Sequence, residues 1–145
     1  KTKYSSFIFI LVFARFLDSG NTTRSFVKVK DTNFVVKPKS YSYVGTNFCY
    51  GAYLGAYADY GDRSRLINEL NQLQKLGVKN LRIAAASEES NFAYPLRPPF
   101  QYKHGSYNEK LLQGLDFLLS EMAKRDMRGI LVLNNYGEWT GGRSE

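Results

Sequence analysis

The chain has 145 residues, 43% hydrophobic, 15% aromatic and 23% charged. That allows one ordinary core and excludes a disordered or collagen-like polymer. The formal net charge is +7, but residues 1–40 hold eight Lys/Arg against two Asp/Glu, while residues 41–145 hold twelve against eleven. The body is nearly neutral, which argues against nucleic acid as a partner, because phosphate binding needs positive charge on the folded surface. Cys49 is the single cysteine and His104 the single histidine, so an internal disulfide and a Cys/His zinc cluster are excluded. The sequence holds no GxSxG turn, which sets aside Ser- or Cys-based hydrolysis. No metal and no cofactor are expected.

Lys1 and Lys3 precede an apolar run, Phe7 to Ala14, too short to cross a bilayer. A basic start before such a run is the pattern of a secretory signal peptide. Residues 1–24 are therefore expected to be signal and leader, with cleavage somewhere in 19–25, and the protein to be secreted with no membrane contact after processing. The alternative is a buried strand, given Arg15 directly after the run. Export would leave Cys49 as an unpaired thiol in an oxidising compartment.

Phe26 to Lys30 alternates, Asp31-Thr32-Asn33 is turn chemistry, and Phe34-Val35-Val36 returns as a second strand ended by Pro38. Tyr41 to Gly45 begins another strand that runs to Asn47. Asp62 is placed to cap a helix in which Leu66, Ile67, Leu70 and Leu73 keep a 3–4 spacing, and Gly77 is placed to stop it. Val78 to Ile83 reads as a strand, and the stretch from there to Tyr107 as a long loop. Leu111, Leu112, Leu115, Leu118, Leu119 and Met122 form one apolar helix face. Asp126 ends that helix, and Met127 to Leu133 reads as a strand buried on both faces. A hairpin followed by β-α-β-α-β predicts a parallel sheet in an α/β fold.

Ligands of such sheets gather at the C-terminal strand ends. The first end carries Asn47, Phe48, Cys49, Tyr50 and Gly51, then Tyr53, Tyr57 and Tyr60. The second carries Arg82 and then Glu88, Glu89, Phe92, Tyr94, Phe100, Tyr102 and Tyr107. The third carries Asn134, Asn135, Glu138 and Trp139. The glycines match neither nucleotide-binding motif. Amides, carboxylates, an arginine and many rings suit a sugar, whose hydroxyls take directional hydrogen bonds and whose C–H faces lie on aromatics. A surface tyrosine also serves packing alone. Arg82, charged in an apolar strand, needs a partner. It is either a structural ion pair or a cation that holds a catalytic carboxylate ionised, lowering its pKa by about 1–3 units.

The strings GTNFCYGAYLG (45–55), GDRSRLINELNQLQKLGVKNLRI (61–83), SEES (87–90), RPPFQ (97–101), YNEKLLQGLDFLLSEMAKRDM (107–127) and LNNYGEWTGG (133–142) resemble the N-terminal part of glycoside hydrolase family 5 endo-β-1,4-mannanases. The likeness covers roughly residues 26–142. It implies that residues 25–145 form the N-terminal portion, a β-hairpin plus β-α-β-α-β, of a (β/α)8 TIM barrel, the hairpin capping its bottom. A barrel of this kind needs about 250 residues, so the domain is expected to be incomplete, inactive alone and poorly soluble through unpaired strand edges.

The resemblance also implies a retaining mechanism with two glutamates about 5–5.5 Å apart, located after the fourth and seventh strands. Neither position falls within these residues, so no catalytic residue is assigned. Arg82 is placed beside the nucleophile, and Tyr50, Asn135, Glu138 and Trp139 are placed as substrate contacts. Glu88 and Glu89 match substrate-side and structural positions. The implied partner is β-mannan polysaccharide and the implied state a monomer. Alternatives are another family 5 β-glycanase, cellulase-like, or a non-catalytic truncated copy. Two positions depart from the pattern: Cys49 and Gly137 stand where similar mannanases carry an aromatic, a loss of ring surface worth about 1–3 kcal/mol of sugar contact.

Overall fold

The computed structural model describes residues 25–36, 39–134 and 137–141. The expected signal segment and its cleavage site lie outside the described residues. Two units are distinguished, Lys1–Ser42 and Tyr43–Glu145.

In the first unit, Asp31 takes a left-handed φ of 54° and reverses the chain between β1 (Lys28–Lys30) and β2 (Asn33–Val36). A third strand, β3 (Lys39–Ser40), completes an antiparallel meander with Val35 opposite both Lys28 and Ser40. The strand expected from Tyr41 begins only at Val44. The Tyr41 N–H still bonds the Phe34 carbonyl at 2.8 Å and so belongs to the meander.

The second unit is built on a parallel sheet. Its strands β4 (Val44–Asn47), β5 (Val78–Ala84) and β8 (Arg128–Val132) lie in that spatial order. The short helix α1 (Gly51–Gly55) and the helix α2 (Arg63–Lys75) separate β4 from β5. Asp62 caps α2 by accepting the Arg65 N–H at 2.8 Å. Gly77, at φ 77°, ends it in a conformation that glycine enters without penalty. Between β5 and α3 (Glu109–Lys124) lies a small antiparallel hairpin of β6 (Gln101–Lys103) and β7 (Ser106–Tyr107). Asn108 caps α3 through the Leu111 N–H.

Leu81 and Ile83 of β5 meet Leu66 and Leu70 of α2 and Leu118 and Met122 of α3 in one core. Each fully buried leucine there contributes about 1.5–3 kcal/mol. A polar clasp ties the two helices at the surface of this core. Arg125 donates to Asn71 Oδ1 at 2.9 Å and to Glu121 Oε2 at 2.8 Å, and Lys124 pairs with the other Glu121 oxygen. The Lys124 ammonium first, and the Arg125 guanidinium second, hold the Glu121 carboxyl below its ordinary range.

Helix α1 was not expected, and its cause is long-range. A Cβ on Gly55 would sit 2.3 Å from the Gly114 carbonyl oxygen, and one on Gly114 would sit 2.1 Å from the Ala52 oxygen. The two helices therefore touch backbone to backbone, with Ala52, Ala56, Leu111 and Phe100 closing a second small core.

The strand at 127–133 departs from expectation. Ile130 is 46% exposed and Leu133 69% exposed, so β8 is not buried on both faces. Among the described residues it pairs only with β5, the central strand of this sheet.

Candidate functional site

Strand pleating divides β5 between two environments. Leu81 and Ile83 face the helices, whereas Asn80 and Arg82 line an open depression of about 280 Å³ with Tyr43, Gly45, Thr46, Asn47 and Ile130. The parallel register sets Asn47, Arg82 and Ile130 side by side across three strands, with Gly45 and Asn80 one row below. Arg82 is half-buried, and its carbonyl accepts the Phe48 N–H at 2.8 Å, fixing the chain as it leaves β4. Among the described residues no carboxylate lies within ion-pair distance of Arg82. The structural salt bridge weighed for this residue is not found there.

Asn80 is 5% exposed, and its Oδ1 has no hydrogen-bond partner. A buried amide oxygen left this way costs on the order of 1–3 kcal/mol. Sequence reasoning passed over Asn80. The signal was its place two residues before Arg82, on the same face of the strand.

The loops beyond β5 and β8 are joined through their main chains. Ala85 N–H donates to the Val132 carbonyl at 3.1 Å, Glu88 N–H to that of Thr140 at 3.0 Å, and Leu96 N–H to that of Trp139 at 2.7 Å. A 3₁₀ turn over Glu138–Thr140 carries an exposed Glu138 and a half-buried Trp139 on this rim. Glu89 pairs with Arg97 at 2.7 Å. Asn135 lies outside the described residues.

Tyr50 is placed differently. Its hydroxyl donates to Glu69 Oε2 at 2.8 Å, and the Arg65 guanidinium lies 5.8 Å from its ring centre. Burial, followed by Glu69, pushes its hydroxyl pKa up. It stands at the first strand end but does not line the Arg82 depression. Of the two positions that depart from the mannanase pattern, Cys49 is half-buried. Gly137 has φ −89° and ψ 150°, an extended backbone that any residue adopts. Among the described residues no group of His, Cys, Asp and Glu could hold a metal ion.

The parallel βαβαβ run is shared with known proteins. The family model described as GH family 5 beta-mannosidase-like matches residues 24–145. The chain belongs to glycoside hydrolase family 5. A family 5 mannosidase from Rhizomucor miehei superposes with a TM-score of 0.75 at 36% identity, covering 81% of this chain and 29% of that one. Mannan endo-1,4-beta-mannosidase 7 of Arabidopsis thaliana is 31% identical over 83% of this chain and 26% of its own length. Mannan endo-1,4-beta-mannosidase 4 of Solanum lycopersicum is 31% identical over 86% and 29%. The chain spans less than a third of each of these relatives. The family 5 fold is a (β/α)8 barrel, and β4 to β8 form an N-terminal portion of it.

Proposed function

We propose that these residues supply the first strand ends of a secreted, retaining endo-β-1,4-mannanase that cleaves β-mannan and galactomannan. The reading rests on Arg82. It projects from the end of β5 in a family 5 fold and has no carboxylate partner among the described residues. In this reading the nucleophilic glutamate comes from a strand end outside residues 24–145. Arg82 lies within a few ångströms of it and favours its ionised form by about 1–3 pKa units. That carboxylate attacks the anomeric carbon while a second glutamate protonates the departing glycosidic oxygen. Water then releases the covalent glycosyl-enzyme with the second glutamate acting as base. Asn135, Glu138 and Trp139 contact the sugar from the third strand end, and Tyr50 from the first. The protein acts as a monomer without a cofactor.

Incubated with galactomannan, residues 1–145 are expected to give no turnover; enzyme-dependent release of mannooligosaccharides would place the catalytic pair inside them. Coding sequence beyond Glu145 is expected to supply an Asn-Glu after a fourth strand and a Glu after a seventh; a stop codon there would end the proposal. In the whole enzyme, Arg82→Ala should lower kcat and move the acidic limb of the kcat/KM profile to higher pH, and Arg82→Lys should restore part of both. An unmoved limb would count against the role given to Arg82.

A further inference from the structure

Tyr50 leaves β4 at the first strand end, yet what fixes its ring is α2. Its hydroxyl donates to Glu69 Oε2 at 2.8 Å. The other carboxylate oxygen of Glu69 accepts the Arg65 Nε–H at 2.7 Å. Arg65 also sets its guanidinium carbon 5.8 Å from the Tyr50 ring centre. Arg65 and Glu69 stand about one helical turn apart and so share a face of α2. The Asp62 cap on the Arg65 N–H fixes where that face begins. The ring of Phe48 lies 4.7 Å from that of Tyr50, tilted by 44°, and Phe48 belongs to the core at 2% exposure. The Tyr50 carbonyl accepts the Leu54 N–H at 3.1 Å, which ties its backbone into α1.

Backbone, ring and hydroxyl are thus each held, while Tyr50 stays 45% exposed. Stability does not account for the arrangement. The Arg65 side chain is 58% exposed, and an ion pair so open to water contributes little. Its consequence is conformational. A loose tyrosine must be ordered when a ligand settles on it, and one already held avoids that cost. Sharing the Glu69 carboxylate between a guanidinium and a phenol also neutralises the charge beside the ring. That suits an uncharged polymer, whose hexopyranose C–H faces lie on aromatic rings.

We infer that Glu69 is a positioning residue for substrate binding: it holds the Tyr50 ring ready for a hexopyranose unit of the polysaccharide, and Arg65 holds Glu69. This rests on the mannanase reading above and extends it, because it brings α2 into the binding of a chain that the strand ends contact. Tyr50 does not line the Arg82 depression, so the effect belongs to binding rather than to the chemical step.

The test is steady-state kinetics of the whole enzyme on mannohexaose. Tyr50→Ala should raise KM most, because the ring itself is lost. Tyr50→Phe keeps the ring and loses the bond to Glu69. It should raise KM about two- to tenfold, the range expected when one side chain must be ordered on binding. Glu69→Ala should raise KM to the same extent. The double variant Tyr50→Phe, Glu69→Ala should go no further than either alone, because both changes delete one hydrogen bond. Glu69→Gln, whose carboxamide can still meet the hydroxyl, should recover part of the loss. Throughout, kcat should be unchanged, the mark of lost ground-state binding, and thermal midpoints should match the wild type. KM effects that add in the double variant, or a Glu69→Ala defect confined to kcat and the thermal midpoint, would overturn the positioning role. If Tyr50→Ala raises KM while Tyr50→Phe and Glu69→Ala leave it unchanged, that role is overturned and the sugar contact stands. If the wild type cleaves mannan and Tyr50→Ala leaves KM unchanged, Tyr50 is no sugar contact and the role of Glu69 falls with it, the mannanase reading intact. A wild type that cleaves no mannan would overturn that reading and this one together.

Discussion

Gly114→Ala tests the backbone contact between α1 and α3. Two effects oppose each other. Alanine improves the helix interior by about 1 kcal/mol over glycine, so a free α3 would gain stability. In the folded chain the new Cβ would lie 2.1 Å from the Ala52 oxygen, 2.6 Å from the Ala56 nitrogen and 2.9 Å from the Ala56 Cα. Side-chain rotation cannot relieve contacts made by backbone atoms, so α1 would have to retreat by nearly an ångström to reach a tolerable 3.0 Å. That retreat would open the small core of Ala52, Ala56, Leu111 and Phe100. Overpacking of this kind costs about 1–3 kcal/mol and sometimes more, and a backbone clash belongs at the upper end. The net expectation is a loss of about 2 kcal/mol. With a urea slope of about 1–3 kcal/mol/M, the unfolding midpoint followed by far-ultraviolet circular dichroism should fall by about 1 M. An unchanged or higher midpoint would show that helix propensity wins and that the α1–α3 contact is looser than described.

Glu121→Gln should destabilise by about 3 kcal/mol, because it removes the anion between Lys124 and a largely buried Arg125. Since the folded carboxyl pKa is depressed, its contribution is present above the unfolded value of about 4.3 and lost as pH falls through the lower folded value. The difference in Tm between wild type and variant should therefore shrink on acidification below about pH 4. Tyr53, with a hydroxyl pKa pushed up to about 12 by burial, should ionise late in an ultraviolet absorbance titration, and Tyr53→Phe should delete that late component. Its raised value means that its contribution to stability is full below about pH 10 and lost as pH rises toward about 12. Asp62→Ala should cost about 1 kcal/mol by leaving the Arg65 N–H uncapped, read as a lower thermal midpoint.

The two long helices and β5 were legible because their signals are local. Leu66 and Leu70, or Leu111, Leu118 and Met122, repeat at helical spacing, and Asp62 and Gly77 mark the ends of α2. Helix α1 was not legible, because its reason for existing is a contact between residues 55 and 114. The exposure of β8 has a related cause, since among the described residues only β5 borders it, as the unpaired edges expected of an incomplete barrel imply. A continuous apolar run reports what a strand can bury, not which neighbours it has. At the site, Arg82 stood out as a charge in an apolar strand. Asn80 did not, since only the register with β4 and β8 shows that both face one depression. The engagement of Tyr50 with Glu69 joins residues nineteen apart and follows from how α2 returns past the first strand end.

The rim built from Glu88, Leu96, Trp139 and Thr140 is held by main-chain hydrogen bonds, and this bears on how such a site changes over time. A loop positioned by its peptide groups keeps its course when its side chains are exchanged. Gly137 illustrates the freedom, since its extended backbone accepts a large ring or none. Side chains on this face can therefore be exchanged one at a time, with the arginine row beneath left undisturbed.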